Sequence, residues 1–327
     1  MTKGISVVVA TRNRSHLLEA LVTNVLGQAV EADLELVVVD DGSTDDTWDT
    51  LQRLATCHQS LQIIRLPERQ GPATARNTGW RAARGTLIVF TDDDCAPQPG
   101  WLAALTGAHV DGLDIVQGKT IPDPESWPAR SAFSHWIEVD TFSGRYETCN
   151  ISYRAEALRS LSGFDEAFGV SRGGAPFGED TDLGWRAREA GMSAAFEAEA
   201  VVVHAVSESS YTAFLRARLR RHRIVFFLRR HPDYRARLWR RYFFERSHPP
   251  ALILFGGLAV VSIRRNRLAP VMLAAAATPY VRYRTQEDRV AGLRRYWPLT
   301  IPGMWVADIV EIGVLAAGSV RWRTPLL

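Results

Sequence analysis

Residues 4–42, GISVVVATRNRSHLLEALVTNVLGQAVEADLELVVVDDG, decide the fold class of this chain. Ile5 to Ala10 is a β-branched apolar run. Leu17 to Leu26 carries apolar residues at helical spacing, and Leu34 to Val39 is a second apolar run. This order predicts a strand–helix–strand unit, whose crossover makes the two strands parallel and the connection right-handed.

The alternation of strands and helices continues to about residue 95. The pattern predicts a helix over Asp45 to Leu54, behind a cap at Ser43 or Thr44, and a second helix over Ala73 to Ala83. It predicts strands over Leu61 to Leu66 and Thr86 to Phe90. We therefore expect an α/β fold with an open, mostly parallel sheet and helices on both faces. Ligands of such sheets bind at the carboxyl ends of the strands.

Composition excludes several classes of protein. A chain of 327 residues with 46% hydrophobic and 23% charged residues is neither disordered nor a small disulfide-stapled module. Cys57, Cys95 and Cys149 have no CxxC spacing, which argues against a disulfide framework and a cysteine zinc site. The first apolar run is followed at once by Arg12 and Arg14, so we expect no signal peptide and a chain that begins in the cytosol.

The charge is distributed unevenly. Residues 213–246 hold twelve arginines and only two acidic residues, a local charge of +10 against +3 for the whole chain. The change in character predicts a boundary at 212, with an α/β domain over 1–212 and a basic, partly apolar helical region over 213–327.

Three apolar segments follow the basic stretch. Ala251 to Ile263 and Leu268 to Val281 have thirteen and fourteen residues, fewer than the roughly 18 to 20 that a spanning helix needs. Val306 to Val320 is interrupted by Asp308 and Glu311, which predicts an amphipathic helix.

Asp92, Asp93 and Asp94 follow a predicted strand directly. Three adjacent carboxylates repel one another, and a divalent metal that bridges carboxylate and phosphate oxygens would compensate them. A solvated acidic turn is the alternative.

Glu179 and Asp180 open a predicted helix that ends near Gly191. An Asp held at a helix start can act as a general base that takes the proton of an attacking hydroxyl. Capping and the helix dipole explain the same acidic residues without catalysis.

Two further residues are candidates at element ends. His204 ends a predicted strand, where it would serve as a third metal ligand or as a structural histidine. Arg76 lies in a helix that begins at Gly71-Pro72, where it would hold a phosphate or fix a carboxylate. An ordinary helix started by proline is the alternative.

The order of these motifs resembles the inverting family 2 glycosyltransferases of the GT-A fold, over roughly residues 4–205. The motifs, in chain order, are VVVATRN, VVVDDGSTDDT, GPATARNTG, FTDDDCAP, CNISYRAEALRSLSGFDEAF, GEDTDLGWRAREAG and VVVH. The resemblance implies a GT-A type sheet and a catalytic domain over residues 1–212.

The resemblance also implies roles for individual residues. Asp180 would be the catalytic base, beside Glu179. Asp92, Asp94 and His204 would bind the metal. The nucleotide pocket would be formed by Thr11, Arg12, Asn13, Asp41, Arg76, Asp92 and Asp93, with Asp41 on the base and Arg76 beside the diphosphate.

The implied cofactors are a divalent metal, Mn²⁺ or Mg²⁺, and a nucleotide-sugar donor. A UDP-sugar is the first expectation, with GDP- and dTDP-sugars as alternatives. The sugar would pass to an acceptor glycan, glycolipid or small glycoside in cell-envelope or glycoconjugate synthesis. A sugar-phosphate nucleotidyltransferase is one rival function, although Thr11-Arg12-Asn13 lacks the glycines of its phosphate loop. A catalytically silent nucleotide-sugar-binding membrane scaffold is another.

The basic stretch indicates a partner as well. Arginines interleaved with aromatic residues, followed by short apolar segments, favour an anionic membrane surface as the partner of residues 213–281. We therefore expect a cytoplasmic protein that is peripheral on the inner face of the cell membrane. Nucleic acid is not the expected partner, and packing of these helices on one another is the alternative.

Overall fold

The computed structural model describes residues 4–109, 112–127, 131, 133–168, 178–263, 267–290 and 300–327. The chain divides into two compact units. The sheet unit is Met1–Pro128 with Trp136–Ser207, and the helical unit is Ala129–His135 with Glu208–Leu327. Thr212, the boundary that composition predicts, lies inside the helical unit. Parts of the predicted basic and apolar region, residues 264–266 and 291–299, lie outside the described residues.

The sheet unit is built on eight strands and six described α-helices. The strands are β1 (Ile5–Thr11), β2 (Leu34–Asp40), β3 (Leu61–Arg65), β4 (Leu87–Thr91), β5 (Cys95–Pro97), β6 (Ile115–Pro122), β7 (Asn150–Arg154) and β8 (Ala194–His204). The helices are α1 (Leu18–Leu26), α2 (Thr47–Cys57), α3 (Pro72–Ala82), α4 (Trp101–Ala108), α5 (Ala155–Leu161) and α6 (Glu179–Glu189).

The strands form one mixed sheet in the order β3-β2-β1-β4-β7-β6-β8-β5. Neighbours β1–β2, β2–β3, β1–β4 and β6–β8 are parallel. Neighbours β4–β7, β6–β7 and β5–β8 are antiparallel. The expected open, mostly parallel α/β sheet is confirmed.

Helices cover both faces of the sheet because successive strand residues point to opposite sides. Ile5, Val7 and Val9 of β1 are buried in one core with side chains of α1, α2 and α4. Val8 points the other way, where a Cβ added at Gly79 of α3 would overlap its side chain.

The start of α2 differs from the expectation. A helix from Asp45 was predicted behind a cap at Ser43 or Thr44, but α2 begins at Thr47. The Ser43 hydroxyl instead accepts a hydrogen bond from the backbone amide of Asn13, at 2.9 Å. The side chain that would have capped the helix therefore joins the loops after β1 and β2.

The helical unit contains five described α-helices, and a buried ionic cluster ties three segments of it together. Asp308 and Glu311 of the last helix are fully buried. Glu311 pairs with Arg218 and Arg221, and Asp308 pairs with Arg284. The helices are α7 (Tyr211–Leu219), α8 (Arg223–Arg230), α9 (His248–Ile263), α10 (Ala269–Val290) and α11 (Thr300–Trp322).

The basic stretch is therefore not one solvated surface, because Arg218 and Arg221 are paired with Glu311.

Helix α11 is long and apolar enough to cross a membrane by length and composition, and a third of its most apolar stretch is buried. Its two acidic residues hold it in the helical unit through guanidinium partners.

The tight approach of α3 to β1 gives a test of the sheet packing. Gly79→Ala should lower the free energy of unfolding by about 1–3 kcal/mol, because the new methyl group overlaps the fully buried Val8. Gly107→Ala in α4 is the matched control. No atom lies within 4 Å of a Cβ added at Gly107, so this substitution should leave the free energy of unfolding unchanged or raise it by up to about 1 kcal/mol. Equal effects in urea unfolding would contradict the described packing.

Candidate active site

The carboxyl ends of β1, β2 and β4 lie side by side, because these three strands are parallel neighbours. The residues that follow them therefore meet at one edge of the sheet. The Thr11 hydroxyl donates to Asp93 Oδ2 at 2.7 Å, across 82 residues of sequence. The Asn13 Oδ1 accepts from the Thr44 amide at 2.9 Å. We call the acidic part of this region the acidic edge: Asp92, Asp93, Asp94, Glu179 and Asp180.

Asp41 holds the loop that leads into α3. Its buried carboxylate accepts hydrogen bonds from the backbone amides of Gln70, at 2.6 Å, and Gly71, at 2.9 Å. Gly71 has a φ of 96°, which favours glycine. Burial raises the pKa of Asp41 above its usual range. The contact of Asp41 with a nucleotide base stays a prediction.

Arg76 joins two acidic motifs that are far apart in sequence. Its Nη2 donates to Asp92 Oδ1 at 2.8 Å, and its Nη1 donates to Glu179 Oε1 at 3.1 Å. The guanidinium is buried, so this bridge fixes the end of β4 against the start of α6. Of the two interpretations from sequence, fixing a carboxylate describes these bonds.

Two buried guanidinium nitrogens at this edge have no hydrogen-bond partner among the described residues. They are Nε of Arg12 and Nε of Arg76. Buried polar atoms are nearly always paired in folded proteins. A phosphate oxygen is a strong acceptor for such groups, so these side chains fit a phosphorylated ligand.

Asp94 and His204 lie together because β5 pairs with β8 and sets Cys95 opposite His204. The Nε2 of His204 is 3.7 Å from Asp94 Oδ1. Its Nδ1 is 2.7 Å from the carbonyl oxygen of Ala205, which can only accept, so Nδ1 carries the hydrogen. That tautomer presents the Nε2 lone pair to a ligand.

These residues fit a divalent metal ion. One ligand atom from each of Asp92, Asp94, Cys95 and His204 lies within 4.8 Å of the others. Carboxylate and imidazole donors suit Mn²⁺, and carboxylates alone suit Mg²⁺. The side chain of Asp93 is held by Thr11, so the structure groups the first and third carboxylates of the motif with the histidine.

The carboxyl of Asp93 shows the combined effect of burial and of neighbouring carboxylates. Burial, with added repulsion from Asp94, raises the pKa of its carboxyl to about 6. Arg14 offsets part of this charge, with Nη1 3.4 Å from Asp94 Oδ2.

Glu179 and Asp180 occupy the first turn of α6. Burial and the neighbouring Glu179 raise the pKa of Asp180 to about 8. Asp180 accepts from the amide of Thr181 at 2.7 Å, but the N-cap residue of α6 is Gly178, which has no side chain to cap the helix. Capping does not explain why Glu179 pairs with Arg76. Asp182, in the same first turn, is fully buried and pairs with Arg186 at 2.7 Å.

Sequence reasoning missed two residues of this site. Arg14 contacts Asp94, and its only signal was its position two residues after Arg12. Cys95 was set aside for lack of a CxxC partner, yet its sulfur lies among the predicted metal ligands. The signal was its place directly after the three aspartates, where the following short strand turns it inward.

Residues 6–162 match the model described as Glycosyl transferase family 2. This part of the chain is similar to that family. The match begins in β1, includes the three aspartates and ends with α5. The family assignment that the sequence motifs implied is therefore confirmed.

Relatives of the family 2 domain come from bacteria and archaea. The pre-mycofactocin glycosyltransferase of Mycobacterium tuberculosis is 31% identical over 223 residues, which are 62% of this chain and 43% of that protein. Glycosyltransferase AglE of Haloferax volcanii is 27% identical over 210 residues, which are 61% of this chain and 66% of that protein. This chain thus spans less than half of the first relative.

A solved structure shares the fold over most of the chain. The mannosyltransferase PcManGT from Pyrobaculum calidifontis, in complex with GDP-Man and Mn²⁺, aligns with a TM-score of 0.59 and 24% sequence identity. The alignment covers 95% of this chain and 86% of that one. The likeness confirms the expected GT-A fold.

The raised pKa of Asp93 makes stability depend on pH. Its folded pKa of about 6 exceeds the ordinary value near 3.8, so the protonated carboxyl stabilises the fold at low pH. This contribution is full below about pH 4 and is lost as pH rises through 6. Asp93→Asn should therefore stabilise the metal-free protein at pH 7.5 by about 1–2 kcal/mol, less than the full shift because the side chain is partly exposed.

The measurement is urea unfolding with EDTA at pH 4, 6 and 7.5. The difference between variant and wild type should grow across these three values. A difference in unfolding free energy that is constant with pH would contradict the raised pKa of Asp93 in the folded protein.

Proposed function

We propose that this chain is an inverting glycosyltransferase that moves a hexose from a nucleotide-diphosphate sugar to an acceptor hydroxyl. The observation that carries the proposal is the Arg76 bridge, which joins Asp92, a candidate metal ligand, to Glu179, the neighbour of Asp180, at one edge of the sheet. Membership of family 2 supports the same reaction. The product would belong to cell-envelope polysaccharide, glycolipid or a related glycoconjugate.

The donor site would use the residues at the strand ends. Arg12 and Arg76 would offer buried hydrogen-bond donors to the diphosphate. Asp41, which holds the loop before α3, would lie beside the nucleotide base. The full donor set is Thr11, Arg12, Asn13, Asp41, Arg76, Asp92 and Asp93. UDP-, GDP- and dTDP-sugars are the candidate donors, and the GDP-Man complex of PcManGT supports including GDP.

Asp92, Asp94 and His204 would hold a divalent ion, Mn²⁺ or Mg²⁺. When bound, the ion supplies positive charge that stabilises the departing diphosphate. Around it, Arg76 holds Asp92 and Glu179 in position, and Thr11 orients Asp93 through its hydroxyl.

Asp180 would act as the general base. It accepts the proton of the acceptor hydroxyl as the oxygen attacks the anomeric carbon opposite the leaving diphosphate, and this single displacement inverts the centre. A base works best when its pKa lies near the operating pH. Burial, with the neighbouring charge of Glu179, brings the pKa of Asp180 toward that range.

The two rival functions are not favoured. A nucleotidyltransferase would be expected to carry a glycine-rich phosphate loop after β1, where this chain has Thr11-Arg12-Asn13. A catalytically silent scaffold does not require a raised pKa at Asp180 or a group of metal ligands, and both features are typical of catalytic sites.

We also propose that the helical unit binds the anionic inner surface of the cell membrane, which would make the protein cytoplasmic and peripheral. The support is a set of exposed arginines in the basic stretch, each worth about 1 kcal/mol near an anionic surface. They are Arg216, Arg220, Arg229, Arg230, Arg237, Arg240, Arg241 and Arg246. A membrane-bound acceptor, such as a glycolipid, would then lie within reach of the enzyme.

Catalysis is tested by replacing the base without changing its shape. Asp180→Asn should lower kcat by about 10² to 10⁴ while donor binding, measured by thermal shift with Mn²⁺, persists. Asp182→Asn in the same helix turn is the control. It should lose stability through Arg186 but keep kcat in the folded protein.

The pH profile adds a second readout. In wild type, kcat/KM should fall tenfold per pH unit below the pKa of Asp180, which is about 8 in the free enzyme. A profile that is flat from pH 6 to 9, or an Asp180→Asn variant with normal kcat, would contradict the assignment of the base.

Membrane association is tested with sedimenting vesicles. Adding 30% anionic lipid to neutral vesicles should strengthen binding of the full chain, and salt at 1 M should remove that gain, because a Debye length of about 3 Å screens exposed arginines. An equal affinity for neutral and anionic vesicles at low salt would refute the electrostatic contact.

A further inference from the structure

Large apolar side chains are exposed in only one part of the described chain. All of them lie in the helical unit, and most belong to α9, α10 and the residue before α10. Contiguous exposed apolar surface marks a protein or membrane contact rather than an ordinary solvated face. The exposed side chains of this segment are Ile253, Phe255, Val260, Ile263, Leu268, Val271 and Met272.

Helices α9 and α10 pack on each other as a hairpin. A Cβ added at Gly257 would overlap the methyl group of Ala276, so the two backbones approach as closely as glycine and alanine allow. This contact leaves the larger side chains, such as Phe255 and Val271, on the outside of the pair.

The open ends of the hairpin are fixed to α11. The Tyr280 hydroxyl donates to Asp308 at 2.8 Å, and Trp305 Nε1 donates to the carbonyl oxygen of Ala251 at 3.2 Å. Ala251, Tyr280 and Ile312 form a small buried core, against which residues 252 and 254 also pack. Among the described residues of the hairpin, none from 255 to 279 belongs to that core.

We propose that this outer part of the hairpin, residues 255–263 and 267–279, inserts into the lipid of one membrane leaflet. The proposal deepens the membrane contact suggested above and does not depend on the glycosyl-transfer chemistry. The inserted part of α9, residues 255–263, is about 13 Å long at 1.5 Å per residue. That length stays within one leaflet, which is about half of a hydrocarbon core of roughly 30 Å.

The charged residues near the hairpin favour a lipid surface as its partner. Arg240, Arg241 and Arg246 are exposed in the segment that precedes α9, and their charge suits anionic headgroups. Arg267 before α10 is exposed as well. Arginine is costly at the bilayer centre, so we expect the hairpin to lie at a shallow angle, with Arg267 at headgroup level.

The test compares two pairs of substitutions at exposed apolar sites in the full chain. The hairpin variant is Ile263→Asp with Val271→Asp, and the control is Val320→Asp with Leu219→Asp. Ile263 and Val320 are both 82% exposed, so neither replacement disturbs packing. Vesicles of neutral phosphatidylcholine at 1 M salt remove the electrostatic contribution and leave insertion alone.

We expect wild type and control to sediment with these vesicles, within twofold of each other, and the hairpin variant to bind at least tenfold more weakly. The proposal is overturned if wild type does not bind, or if the control loses as much as the hairpin variant. It is also overturned if the hairpin variant binds normally while light scattering shows that only this variant fails to dimerise, since the hairpin would then cover a second copy.

Metal-dependent hydrolysis of the donor, measured in lipid-free buffer on the same three proteins, separates this inference from the proposed function. The substitutions lie in the helical unit, away from every proposed site residue in the sequence. Normal hydrolysis without vesicle binding contradicts the insertion and leaves the transferase standing. Vesicle binding without any hydrolysis supports the insertion and contradicts the proposed transferase.

Discussion

The buried guanidinium of Arg76 is the interaction on which the acidic edge depends. It projects from α3 and donates to Asp92 after β4 and to Glu179 at the start of α6. Three segments of the sheet unit are thereby held at one point. Removing one partner of a buried ion pair typically costs about 3–5 kcal/mol, because the other charge remains without compensation. The same bonds that assemble the candidate metal and base groups also make their arrangement sensitive to any change at Arg76.

The acidic edge carries more negative charge than its guanidinium partners offset. Arg76 and Arg14 face five carboxylates, and burial together with this excess of negative charge raises the pKa values of Asp93 and Asp180. A fold that served stability alone would not gather these groups. Both consequences suit the proposed reaction, because an excess of negative charge attracts a divalent ion and a raised pKa makes an aspartate a useful base.

Much of the sheet and the acidic edge could be predicted from sequence. Apolar periodicity located β1, α1 and β2, and the rule that parallel strands share their carboxyl edge was enough to bring the strand-end residues together. The partners of Arg76 could not be predicted, since they lie 16 and 103 residues away and depend on where α6 packs. The pairing of Cys95 with His204 was equally hidden, because β5 has three residues, too few to show a period.

The central claim is that one edge of the sheet binds a metal and a nucleotide sugar and inverts the sugar carbon. The most direct measurement uses water as a substitute acceptor. Wild type is incubated with Mn²⁺ and a panel of α-linked UDP-, GDP- and dTDP-sugars, and the first hexose released is followed by proton NMR before it mutarotates. The account predicts that one donor is hydrolysed, only with metal, and that the β-anomer forms first. Release of the α-anomer, or no hydrolysis of any donor, would contradict it.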